Sequence, residues 1–120
     1  MKYMLLMYNE ESTLSDSERQ KCYLESAEYA NQLDAKGKYL LAAPLHPTST
    51  ATSVRVREGK RAVTDGPFAE TREQLGGFFL VDAKDLDEAK AIDIAAHIPA
   101  GRWGTVEIRP VIEVSTLPKV

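Results

Sequence analysis

The chain holds one cysteine, Cys22, and two histidines, His46 and His97, among its 120 residues. A single thiol excludes an internal disulfide and a cysteine-based metal cluster, and it fits a reducing, cytoplasmic setting. The histidines lie far apart, with no acidic residue at ligand spacing, so no metal motif forms. Charge of one sign is also scarce: 15 Lys and Arg against 18 Asp and Glu give a net charge of -3. That balance lacks the basic footprint with which nucleic-acid binders neutralise phosphates. No long hydrophobic run is present. The apolar opening, Met1 to Tyr8, is too short for a signal peptide or a membrane span and reads as a strand. A Gly-rich phosphate loop, a dinucleotide fingerprint and a nucleophile elbow are all missing, so no cofactor is expected.

What remains is an ordinary globular composition, 43% hydrophobic and 28% charged, on a chain sized for a single domain over residues 1–120. Lys2 to Tyr8 is apolar on both alternating faces. Ser15-Asp-Ser-Glu18 is a capping box that opens a helix, with Tyr23, Ala27, Ala30 and Leu33 as its apolar stripe and Gly37 as its stop. Tyr39 to Ala43 reads as a second strand closed by Pro44 and Pro47. Thr52 to Arg57 and Lys60 to Thr64 form a hairpin turning at Glu58-Gly59. Leu75 to Val81 is again apolar on both faces, with Gly76 and Gly77 permitting a bulge or a close backbone approach. A second capping box at Asp85-Leu-Asp-Glu88 predicts a helix with Leu86, Ala89, Ile92 and Ala96 inward. Thr105 to Val114 closes the chain as a strand, which Pro110 assigns to an edge or a bulge.

Without the hairpin the order is β-α-β-β-α-β, an α+β ferredoxin-like arrangement with both helices on one face of an antiparallel sheet. Two helices cover one face only, yet two strands are apolar on both. A homodimer packed sheet against sheet is therefore expected, with any small-molecule pocket between or beside the sheets.

The candidate site centres on Thr64 to Gly77, which sets Asp65, Glu70, Arg72 and Glu73 between apolar segments. Asp65 is suited to act as a general base if burial or a second carboxylate raises its pKa, and equally to serve as a turn residue before Gly66. Glu70, Arg72 and Glu73 are placed either to order the loop or to meet a ligand, and Phe68 is expected to plug the loop into the core, with walling a pocket as the alternative. Glu107 and Arg109 occupy the polar parity of the last strand, where the arginine can clamp a carboxylate or phenolate, or simply face solvent. His46 is a further ligand-binding candidate. His97 is accounted for by a helix C-terminus; Tyr3 and Tyr8 can offer hydroxyls, though tyrosines at strand ends are more often packing residues, and Cys22 reads as a packing residue.

The run Asp65-Gly66-Pro67-Phe68-Ala69-Glu70-Thr71-Arg72-Glu73-Gln74-Leu75-Gly76-Gly77 resembles the DGPF-motif branch of the YCII-related proteins. Similarity also covers Met1 to Tyr8, Ala51 to Arg57, Asp85 to Ala89 and Val106 to Val111. The resemblance implies a dimeric α/β-barrel of ferredoxin-like protomers. Members of that branch are often encoded beside extracytoplasmic-function sigma factors, which implies a possible sigma-factor partner and a regulatory role. Some YCII relatives resemble lyases that remove chloride from aromatic rings, and the wider superfamily includes isomerases and cofactor-free oxygenases. Where such enzymes use a His-Asp pair, this chain supplies Asp65 and no histidine at a matching place. Two functions are thus expected: a cofactor-free lyase or isomerase with Asp65 as proton acceptor and Arg109 stabilising negative charge, or a binding or regulatory module.

Overall fold

The computed structural model describes residues 1–84 and 91–118. Strand β1 (Lys2–Asn9) leads into helix α1 (Asp16–Ala35) and strand β2 (Tyr39–Pro44). A hairpin of β3 (Thr52–Arg57) and β4 (Lys60–Asp65) follows, then strand β5 (Gln74–Asp82), helix α2 (Ala91–Ala96) and strand β6 (Gly104–Pro110). The four strands β2, β5, β1 and β6 make one antiparallel sheet in that order, while β3 and β4 pair only with each other. This α+β arrangement is consistent with a ferredoxin-like fold.

Local chemistry explains the boundaries. At the start of α1 the Glu18 amide donates to the Ser15 hydroxyl at 3.2 Å, and the Ser15 amide donates back to the Glu18 carboxylate at 3.0 Å. The donation from Ser15 lowers the Glu18 pKa. Gly37 at φ +72° ends the helix, with Lys36 and Lys38 amides both donating to the Leu33 carbonyl. The buried line of α1 is Cys22, Ser26 and Leu33, with Tyr29 and Ala30 packed against the core. It is turned about one residue from the expected stripe: Ala27 is exposed, and Tyr23 is half-buried with its hydroxyl donating to Leu45 O. Small side chains at 22 and 26 let the helix backbone approach the sheet, a feature that hydrophobicity spacing does not capture. The expected second capping box lies outside the described residues. In α2 it is Ala91, Ile94 and Ala95 that are buried, whereas Ile92 and Ala96 are exposed.

The core lies between the helices and one sheet face. Tyr3, Leu5 and Met7 of β1 and Phe79 and Val81 of β5 meet Leu33, Ile94 and Ala95, with Val106 and Ile108 of β6 alongside. The Tyr29 and Phe79 rings are tilted at 5.9 Å between centroids, and the Tyr29 hydroxyl donates to Ile94 O at 2.8 Å, tying α1 to α2. Opposite Met7 and Tyr8, β5 skips Gly76, the bulge its glycines allow. A Cβ on Gly77 would stand 2.8 Å from the Met7 methyl and 2.9 Å from Ala43 O. Strand β6 ends at Pro110, short of the expected Val114, where its partner β1 reaches its first residues. Only Val111 adds one further bond, to Lys2 O, and Ile112 and Val114 are exposed.

The β3–β4 hairpin projects as an arm. Glu58 and Gly59 both take positive φ, +52° and +76°, the geometry of a tight type I′ turn. At its base the Gly66 amide donates to Ala51 O and the Ser53 hydroxyl to Gly66 O, each at 2.7 Å. The radius of gyration, 16.3 Å, exceeds the roughly 13.6 Å of a compact 120-residue domain, as a projecting arm requires.

Candidate functional site

The sheet face away from the helices brings several of the candidate side chains together. Alternation and cross-strand register place Met4, Leu6 and Tyr8 of β1 beside Leu80 and Phe78 of β5 on one side and Arg109, Glu107 and Thr105 of β6 on the other. The middle of this face is therefore an apolar floor, and its β6 edge is polar. The Tyr8 hydroxyl donates to Glu107 Oε1 at 3.4 Å, and Arg109 sits one repeat along on the same side of β6, opposite Met4. Burial pushes the Tyr8 phenol upward, the Glu107 carboxylate adds to the rise, and the Arg109 guanidinium opposes it. Tyr8 thus stays a neutral donor at neutral pH. A planar anion lying on the floor would meet Arg109 as a cation and Tyr8 as a hydrogen-bond donor. For Tyr8 it is the hydroxyl, the less favoured of its two expected roles, that faces a partner here.

The other predicted residues do not join this cluster. Asp65 ends β4 at the base of the arm, exposed and opposite Thr52. Arg72 pairs with Glu10 at 3.3 Å, an exposed contact of little energetic weight. Glu70 and His46 are exposed. The loop between arm and β5 is organised by its own backbone: the Thr71 hydroxyl donates to Glu73 O at 2.6 Å and the Gln74 amide side chain to Thr71 O at 2.8 Å. Phe68 does not plug the core. It is 80% exposed, because Gly66 at φ +98° turns the chain at the arm's base and leaves the ring beside β3.

A small cavity of about 40 Å³ lies on the helix side, near Asn9, Glu11, Arg19, Cys22 and Tyr23, and none of the predicted residues lines it. It has room for a few waters at most. Its charged groups are committed: Glu11 accepts from the Thr48 amide at 2.9 Å and from the Thr48 hydroxyl, and Arg19 pairs with Asp16 at 3.1 Å. Burial raises the pKa of the Cys22 thiol, which makes it a packing group and not a nucleophile. At the end of α2, His97 Nδ1 lies 2.8 Å from Asp93 O, a local contact. Among the described residues no three His, Cys, Asp or Glu side chains converge as a metal site, and no helix is long and apolar enough to cross a membrane.

An uncharacterized protein of Rhizobium meliloti (strain 1021) is 38% identical over 115 residues, covering 92% of this chain and 91% of that protein. The family model described as the YCII-related domain matches residues 1–115. The chain belongs to the YCII-related domain family.

Proposed function

We propose that the protein is a homodimeric small-molecule-binding protein whose ligand lies on the helix-free sheet face, between two copies packed sheet against sheet as a dimeric α/β-barrel. The observation that carries this reading is the apolar floor of Met4, Leu6, Phe78 and Leu80 bordered by Tyr8, Glu107 and Arg109. An apolar surface with a few convergent polar groups is the usual form of a small-molecule site. The ligand class is a flat organic anion, a phenolate, enolate or carboxylate. In the catalytic form of this reading the protein is a cofactor-free lyase or isomerase. Asp65 accepts a proton from an enolisable ring, and Arg109 stabilises the oxyanion that results.

Titration with chlorinated hydroquinones and lactones, followed by calorimetry, tests the site. Loss of a charge-assisted hydrogen bond is worth about 1.5–3 kcal/mol, so Arg109→Gln should weaken binding by about ten- to a hundredfold. Asp65→Asn should leave binding intact and abolish turnover. Equal affinity in wild type and Arg109→Gln would remove Arg109 from the site. Co-elution with a sigma factor, together with no ligand binding, would favour the regulatory role and overturn this proposal.

A further inference from the structure

Asp65 and Arg109 bear opposite charges, and among the described residues neither has a hydrogen-bond or ion-pair partner. They also belong to opposite edges of the fold. Arg109 is on β6, one edge of the four-stranded sheet, while the arm carrying Asp65 leaves the chain just after β2, the other edge. Three inter-strand spacings put those edges about 14 Å apart, before the arm's own displacement is added. The molecule is only 20 Å in its thinnest dimension, enough for the sheet and its helix layer, so the arm stands beside the sheet and not over its open face.

The side of the arm that carries Asp65 is apolar and uncovered. Register places Asp65, Val63 and Arg61 of β4 on the same side as Thr52, Val54 and Val56 of β3. Val54, Val56 and Val63 are 57%, 60% and 59% exposed. A lone two-stranded hairpin is marginal in water, so this side requires cover. The arm's charge points to the kind of cover, with Arg61 on this side and Arg55, Arg57 and Lys60 on the other. Over the arm, residues 52–65, Arg55, Arg57, Lys60 and Arg61 stand against Glu58 and Asp65, a net +2; the whole chain is -3, so the rest of it carries -5. A cationic arm on an anionic body is complementary to another copy of the same chain.

Topology supplies the route. If two copies pack open face to open face about a two-fold axis running along the strands, the β2 edge of each lies over the β6 edge of the other. We infer that the arm of one copy reaches the β6 edge of the second and sets its Asp65 beside the second copy's Tyr8, Glu107 and Arg109, so that two chains build each site. This rests on the reading of the open face as a dimeric ligand site and adds that Asp65 acts in trans. A monomer would therefore carry both halves of the machinery without being able to join them.

Cross-linking tests this without a ligand. Asp65→Cys and Arg109→Cys proteins, each with Cys22→Ser, are mixed, allowed to exchange subunits and treated with a short bis-maleimide. A link between positions 65 and 109 of different chains is expected, at about tenfold or more above the yield in denaturant, because docking raises the effective concentration of the two thiols. A dimer by light scattering that gives no such link overturns the inference and leaves the ligand site standing. An internal link in the doubly substituted chain overturns it as well. Wild type that stays monomeric, or that captures duplex DNA through the arm as a monomer, overturns both readings. The interchain link in a dimer that binds none of the ring compounds supports the inference and sinks the ligand assignment.

Discussion

Phe78 and Phe79 are neighbours on β5, chemically identical, and they face opposite sides of one sheet. Phe79 is 1% exposed beneath α1, with the Tyr29 ring against it, whereas Phe78 is half-buried on the side no described helix covers. The arm extends the contrast. Val54 and Val56 alternate with arginines as cleanly as any core strand, yet both stay exposed. Alternation creates a face that is able to be buried; a helix layer or a second chain is what buries it. The covered face makes this a folded domain, and the uncovered surfaces are where function is to be sought.

The largest expected effect breaks or upholds that contrast directly. Phe79→Ala should cost about 3–5 kcal/mol in urea unfolding, as large-to-small changes in a packed core do. Phe78→Ala, measured at protein concentrations low enough to keep monomers apart, should cost less than about 2 kcal/mol, since part of that side chain is already in water. Equal losses at the two positions would mean that the open face is covered within one chain.

Tyr29 sharpens the comparison from the covered side. Burial, with a smaller contribution from Asp93, pushes its phenol up to about 12, and its hydroxyl donates to Ile94 O. The folded state therefore holds this proton more tightly than the unfolded chain, whose tyrosine titrates near pH 10. The resulting stabilisation is complete below about pH 10 and is lost as pH rises toward 12. Tyr29→Phe should lower stability by about 1 kcal/mol at neutral pH, the worth of one hydrogen bond. It should also flatten the fall in unfolding midpoint above pH 10 that wild type shows. A wild-type midpoint that does not change across that window would contradict the assignment of Tyr29 to the covered face.

Much of the fold was legible in the sequence because its signals are local. The Ser15 and Glu18 capping box, the Glu58-Gly59 turn and the Gly76 bulge each need only a few adjacent residues, and each stands where expected. Signals that depend on tertiary packing were read less well. The buried line of α1 runs through Cys22 and Ser26, which are chosen for size and not for hydrophobicity. The last strand stops at Pro110 although Ile112 and Val114 keep the alternation, because its partner β1 begins at Lys2, opposite Val111, and offers no further ladder beyond it. Strand parity puts Glu107 and Arg109 on one side of β6, and the register keeps them there, because parity survives folding. Tyr8 is harder to read, because its partner is 99 residues away along the chain. Asp65, Glu70, Arg72 and His46 were grouped by sequence motif, which says nothing about the edge of the sheet on which each side chain emerges.

The smallest expected effect probes the arm as a unit apart from the core. Val56 is 60% exposed and lies on a hairpin that pairs with no strand of the main sheet. In dilute protein, Val56→Ser should change the free energy of unfolding by no more than about 0.5 kcal/mol, as for surface positions without special features. The same variant should weaken dimerisation measurably in sedimentation, since a second chain is what covers this side of the arm in the proposed assembly. A loss above about 1.5 kcal/mol in the monomer would be the size of a fully buried valine and would place the arm in its own chain's core. No loss in either measurement would leave the exposed valines without a burial partner, and the contrast between covered and awaiting surfaces would have to be redrawn at the sheet alone.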